Sequence, residues 1–122
     1  MRFAKLVFNI AGARGVLVLV PLYFALEAIG RHDPPSVTHP EYYYGFLGVA
    51  LVWQFAFFLI ARDPVRFRPM MLMAIAEKFV HVAGMTTLCA AGRLTPQQLA
   101  FNLPDLVWGV LFVVAFRRTP GP

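Results

Sequence analysis

The chain has 122 residues, enough for one domain, and 59% of them are hydrophobic while only 14% are charged. Soluble domains contain about 45–50% apolar and about 25% charged residues, so this composition excludes an ordinary soluble domain and indicates a protein embedded in lipid. The net charge of +5 does not indicate nucleic-acid binding, because the basic residues lie at the ends of apolar runs and are not interleaved with aromatic ones.

Four apolar segments follow one another along the chain, and each is long enough to cross the hydrocarbon core of a bilayer as a helix. Their expected bounds are 3–29, 43–61, 69–91 and 97–116. The sequence therefore predicts an all-α membrane protein, an antiparallel four-helix transmembrane bundle that forms a single domain over 1–122. Short connections favour contact between sequential helices.

Proline, threonine and glycine mark several of the expected helix boundaries and bends. Pro21 predicts a bend in the first segment, which we expect to be retained because no small-x-small cleavage site follows it. Pro69 suits the first turn of the third helix, and Gly92 suits its end. Thr95 and Pro96 form an N-cap and first helical residue for the fourth.

The distribution of basic residues between the two sides predicts the orientation. One side carries seven: Arg2, Lys5, Arg62, Arg66, Arg68, Arg117 and Arg118. The other side carries only Arg31 and Arg93, beside Asp33 and Glu41. Because short cytoplasmic connections are rich in Lys and Arg, we expect a multi-pass protein of the cell inner membrane with both termini cytoplasmic.

Two pairs of glycines lie inside the predicted helices. Gly12 and Gly15 belong to the first helix, and Gly45 and Gly48 to the second. Small residues at this spacing let helix backbones approach closely in a membrane, so we expect both pairs at helix contacts.

Four charged residues fall at the depth of the bilayer centre: Arg14, Glu77, Lys78 and Asp105. Each unpaired charge there costs about 2.5–3.5 kcal/mol, so we expect the four, whose formal sum is zero, to form one intramembrane charged network. Glu77 and Lys78 are adjacent and point about 100° apart, so we expect them not to pair with each other. The favoured pairs are Arg14 with Glu77 and Lys78 with Asp105; the swapped pairing is the alternative. The network either fixes helix register alone or serves a function.

The third helix carries a stripe of sulfur, imidazole and carboxylate side chains at a spacing of four residues: Met73, Glu77, His81, Met85 and Cys89. The Met, His and Cys side chains are of the types that bind haem iron or soft copper ions. The favoured interpretation is a packing stripe without a metal, because no second cluster of ligands faces it. His32 and His39, beside Asp33 and Glu41, are interpreted as a solvated loop rather than a metal site.

A candidate ligand-binding site combines acids with aromatic and polar side chains of the bundle: Trp53, Gln54, Glu77, His81, Asp105 and Trp108. Pro104 lacks the N–H that would bond Ala100, so the fourth helix is expected to bend and open space beside Asp105. Asn102 lies one turn away on the same face. A tightly packed, dry kink is the alternative.

Two sequence stretches carry a resemblance to a known family. Gly45-Phe46-Leu47-Gly48-Val49 leads into Arg66-Phe67-Arg68-Pro69-Met70-Met71-Leu72. Together with the four-helix layout, they resemble small bacterial inner-membrane proteins of the DoxX-like type, for whose wider group redox-accessory roles are discussed. The chain departs from that pattern at Glu77, Lys78 and Asp105. It is also similar to uncharacterised membrane proteins with His39-Pro40-Glu41 before the second helix and Asp63-Pro64-x-Arg66 after it. This resemblance implies no activity.

No nucleophile elbow, Cys-x-x-Cys, zinc motif or acidic magnesium cluster occurs in the sequence. The favoured function is therefore a non-enzymatic accessory or assembly protein. The alternatives are a membrane-embedded site for a small molecule or lipid, in an isomerase-like enzyme or a carrier, and a haem- or quinone-binding redox subunit. Membrane lipid is the expected partner, with a membrane protein or a second copy of the chain as further candidates. The sequence identifies no cofactor.

Overall fold

The computed structural model describes residues 2–32, 34 and 38–121, and within them the chain is helical without any strand. Six helices follow in order: α1 (Arg2–Leu22), α2 (Leu26–His32), α3 (Pro40–Arg62), α4 (Arg68–Ala90), α5 (Pro96–Asn102) and α6 (Pro104–Arg118). Four stretches are long and apolar enough to cross a membrane: α1, α3, α4 and the α5–α6 pair. The predicted all-α membrane fold with four spans is confirmed.

Two of the predicted spans are interrupted. The first was expected to run over 3–29, but α1 ends at Leu22, one residue after Pro21, and a turn separates it from α2. The fourth is divided at Leu103, because Pro104 has no N–H to continue the ladder and begins α6 instead. The predicted bend in the fourth span is therefore a break between two helices.

The helices pack mainly as a series of neighbours: α3 contacts α1, α1 contacts α6, and α6 contacts α4. The expectation that sequential helices would all be close neighbours is wrong for α3 and α4, which make few contacts although a short turn joins them. A turn fixes only the ends of two helices, and their separation farther along depends on the side chains between them.

Glycines let α1 and α3 approach closely, as expected for Gly12 and Gly15. A Cβ added to Gly15 would overlap the side-chain amide of Gln54, and one added to Gly12 would lie 2.8 Å from the ring of Phe58. The same expectation is wrong for Gly45, where an added Cβ would meet open space. Gly45 faces the gap between α3 and α4.

The dry core occupies one half of the bundle. Phe8, Phe57 and Phe112 are fully buried there, with ring centroids 4.4 Å apart for Phe8 and Phe112 and 5.1 Å apart for Phe57 and Phe112. Buried alanines and Met71 fill the space around these rings. This half contains the start of α1 and α4 and the end of α3 and α6, so it lies toward the ends that carry most of the basic residues.

Contacts between helix termini gather the basic residues at one end of the bundle. Arg68 donates from Nε to the carbonyl oxygen of Thr119 at 2.7 Å, which joins the start of α4 to the end of α6. The guanidinium carbon of Arg118 lies 4.7 Å from the ring centroid of Phe3, which brings the start of α1 to the same end. At the opposite end, the Tyr43 hydroxyl donates to the carbonyl oxygen of Leu22 at 2.6 Å and caps α1.

Several helix boundaries predicted from the sequence are present. Thr95 accepts a hydrogen bond from the backbone N–H of Gln98, whose side chain accepts from the backbone of Thr95, so the two form a capping box. Pro69 lies in the first turn of α4. Gly92 follows α4 with φ of +75°, the left-handed conformation that commonly ends a helix.

Candidate functional site

A cavity of about 210 Å³ lies inside the bundle, in the half opposite the dry core. Its walls come from all four membrane spans, and most polar side chains at membrane depth lie on it. These are Arg14, Gln54, Glu77, Lys78, His81, Asn102 and Asp105. We call this space the central cavity. All four members of the expected charged network are on its wall.

Lys78 lies at the centre of the charges. Only 7% of the surface of Lys78 is exposed, and its Nζ is 3.3 Å from Oδ1 of Asp105 and 3.6 Å from Oε2 of Glu77. The ring centroid of Phe57, in the dry core, is 5.5 Å from the same nitrogen. The expected ion pair between Lys78 and Asp105 is therefore formed, and it joins α4 to α6.

Two of the expectations about pairing are wrong. Lys78 does pair with its neighbour Glu77, because its flexible four-carbon stem spans the angle between adjacent helical positions. The expected pair of Arg14 with Glu77 is not formed, since Arg14 makes no ion pair or hydrogen bond within the described part of the chain. Oε2 of Glu77 is buried without a hydrogen-bond partner there. Of the four charged residues of the expected network, Arg14 alone has no described partner, and it lies on the cavity wall.

His81 is held by Asn102, the residue that the sequence predicts beside Asp105. Its Nε2 is 2.9 Å from Oδ1 of Asn102, and because an amide oxygen only accepts, Nε2 carries the proton and donates. The same nitrogen is 3.6 Å from Oδ2 of Asp105. Asn102 in turn donates to the carbonyl oxygen of Gln98 at 2.9 Å. The bend before Pro104 brings Asn102 and Asp105 to His81 together.

The remaining candidate residues line two different spaces in the bundle. Gln54 and Trp108 line the central cavity, whereas Trp53 does not. Gln54 is buried and donates from Nε2 to the carbonyl oxygen of Ala50 at 2.8 Å, so its position is fixed. Trp53 lies on a second space, between α3 and α4.

This second space, which we call the lateral groove, has a volume of about 690 Å³ and mostly apolar walls. Gly45, Val49 and Trp53 line it from α3, and Met73 and Val80 line it from α4. Four residues belong to both the groove and the central cavity: Phe46, Ala50, Glu77 and His81. The groove therefore adjoins the cavity along the gap left by the sparse contact of α3 and α4.

The stripe on α4 does not assemble a metal site in the described residues, where no three His, Cys, Asp or Glu side chains are grouped as ligands. Met73 is exposed toward the lateral groove, while His81 is directed to Asn102 and Asp105. In the loop region, His39 Nδ1 lies 3.2 Å from Oε1 of Glu41, both exposed. Asp33, the other acid considered there, is outside the described residues.

Comparisons of the protein with family models, with curated proteins and with solved structures gave no match. The resemblance to DoxX-like proteins therefore stays a prediction from the sequence.

Proposed function

We propose that the protein binds a small lipid-soluble molecule, whose polar head occupies the central cavity. The observation that carries this proposal is Arg14, which lines the cavity and makes no ion pair or hydrogen bond within the described part of the chain. A network that served only to hold the helices together would pair every charge, because an unpaired charge at the bilayer centre costs about 2.5–3.5 kcal/mol. A guanidinium without a partner beside an empty volume is better explained by a ligand.

The distribution of packing supports a binding site rather than an open passage. Phe8, Phe57 and Phe112 close the bundle on the basic side of the central cavity. The cavity is therefore accessible from the opposite half or from the side, but not through the basic end.

The orientation that goes with this proposal places both termini in the cytoplasm and the protein in the cell inner membrane. It is supported by the basic residues at the end where Arg68 meets Thr119 and Arg118 meets Phe3. The central cavity would then lie in the periplasmic half of the bundle.

A non-enzymatic accessory or assembly role is the second candidate. It is favoured by two contacts that join α4 to the last span, the ion pair of Lys78 with Asp105 and the hydrogen bond of His81 with Asn102. Because these contacts hold the helices together, they are explained without a ligand. Under this alternative the cavity is a packing defect, and the charges fix only the register of the helices.

Arg14→Gln separates the two functions because Arg14 has no described partner whose loss would destabilise the bundle. Purified wild-type protein, Arg14→Gln and the control Arg31→Gln, whose residue is exposed in α2, are unfolded thermally with and without fractions of a bacterial membrane lipid extract. A ligand at 100 times its Kd stabilises a protein by about 2.7 kcal/mol. We expect one fraction to raise the Tm of the wild type and of Arg31→Gln but not of Arg14→Gln.

Two results would contradict the proposal. One is a lipid extract in which no fraction raises the Tm of the wild type. The other is an Arg14→Gln protein whose ligand-free Tm falls well below that of Arg31→Gln, because that loss would show a structural role for the guanidinium.

A further inference from the structure

The size of the central cavity limits the head of the ligand. A cavity of about 150 Å³ holds one benzene molecule. At about 210 Å³, the central cavity has room for a single ring with one or two polar substituents. The indole of Trp108 on the wall supplies an aromatic face for such a ring.

The charges on the wall specify the polar groups of that head. Arg14 offers N–H donors and therefore requires an acceptor on the ligand. A hydroxyl, phenol or carbonyl oxygen meets this requirement without adding a charge. The formal charges of Arg14, Glu77, Lys78 and Asp105 sum to zero, so a neutral head leaves the buried site balanced, whereas a phosphate would add uncompensated charge.

The lateral groove supplies a place for an apolar chain attached to that head. It adjoins the cavity at Phe46 and Ala50, which line both spaces, and lies between α3 and α4 at the surface of the bundle. The ring of Phe46 lies alongside the imidazole of His81, with centroids 6.4 Å apart and planes 16° apart, where the two spaces meet. An apolar route between a lipid-facing surface and a polar site suits a molecule that enters from the bilayer.

We infer that the ligand is a single-chain amphiphile with a neutral, ring-sized head bearing a hydroxyl or carbonyl oxygen, and that its chain leaves the central cavity through the lateral groove. This inference rests on the proposed function, since it assigns the head to the same cavity. It adds the chemical class of the ligand and the side from which the ligand enters.

The two tryptophans of the chain report separately on the two spaces. Trp108 lines the central cavity and Trp53 lines the lateral groove. The probes are two decylphenols, one brominated on the ring and one brominated in the middle of the chain, because bromine quenches tryptophan fluorescence at short range. The Trp53→Phe protein reports on the head, and the Trp108→Phe protein reports on the chain, both in nanodiscs of saturated phosphatidylcholine.

Matched variants test whether the chain of the ligand lies in the lateral groove. Val49→Phe places a ring in the lateral groove, and Val52→Phe places the same ring on the lipid-facing side of the same helix. The two valines are 64% and 68% exposed, so neither change disturbs the core. Val80→Phe, on the opposite wall of the groove, is a second blocking variant.

We expect the ring-brominated probe to quench Trp108 saturably, and the chain-brominated probe to quench Trp53 over the same concentration range. Val49→Phe and Val80→Phe should weaken both effects about tenfold or more, because a filled groove cannot accept the chain without strain, whereas Val52→Phe should change neither.

Two different failures are distinguishable. Saturable quenching of Trp108 that is equal in Val49→Phe, Val80→Phe and Val52→Phe would overturn the lateral route and leave the proposed function intact. Absence of saturable quenching of Trp108 would overturn the ring-sized phenolic head. In that case the proposed function is still judged separately, by the response of Arg14→Gln to the lipid extract.

Discussion

Replacing Lys78 by methionine tests the balance of charge in the central cavity. Methionine keeps an unbranched stem of similar length and removes the ammonium group. The change leaves the carboxylates of Glu77 and Asp105 without the cation that lies 3.6 Å and 3.3 Å from them. Breaking a buried ion pair costs about 3–5 kcal/mol.

The lower end of that range applies to Lys78→Met for two reasons. The side chains of Glu77 and Asp105 are 27% and 23% exposed, so the stranded carboxylates keep some access to polar surroundings. His81 Nε2, 3.6 Å from Asp105, offers partial compensation. We expect a loss of about 3 kcal/mol, which is roughly a 100-fold shift in the unfolding equilibrium.

The assay is reversible unfolding in mixed micelles of a mild detergent and SDS, followed by tryptophan fluorescence. A triple variant, Lys78→Met with Glu77→Gln and Asp105→Asn, removes all three charges and keeps the volumes. It should be more stable than Lys78→Met, because a neutral network no longer strands a charge. A Lys78→Met protein within about 0.5 kcal/mol of the wild type, or a triple variant equal to the sum of its single changes, would refute the reasoning.

Two further predictions concern packing and topology. Gly15→Ala should destabilise the protein by about 1–3 kcal/mol, because its Cβ overlaps Gln54, whereas Gly45→Ala should not destabilise it; equal stability of the two variants in the same unfolding assay would contradict this. In a cysteine-free background, a membrane-impermeant maleimide added to intact cells should label Thr38→Cys but not Gly121→Cys. Labelling at Gly121 would reverse the proposed orientation.

The four spans and several of their ends were predictable because they depend on local sequence. Hydropathy over about twenty residues identifies a span whatever its neighbours are. Thr95 as an N-cap and Gly92 as a helix stop act within one turn of the chain. The break before Pro104 follows from a missing N–H and is local in the same sense.

The contacts between spans were less predictable because they depend on how each helix is rotated and placed. Gly12 and Gly15 contact another helix while Gly45 does not, although the two pairs have the same spacing. The sequence identifies the charges at membrane depth, but the partner of each depends on side-chain reach. This is why Glu77 contacts Lys78 and not Arg14. The separation of α3 from α4, which creates the lateral groove, has no local signal in the sequence.

The central claim is that a molecule of defined mass occupies the central cavity, and native mass spectrometry of protein purified in membrane nanodiscs tests it most directly. Ala50→Leu fills space at the junction of cavity and groove, and Ala56→Leu adds the same volume to α3 away from both. We predict one adduct of the same mass on the wild type and on Ala56→Leu, and its loss from Ala50→Leu. A wild-type protein without an adduct, or an adduct retained equally by all three proteins, would contradict the claim.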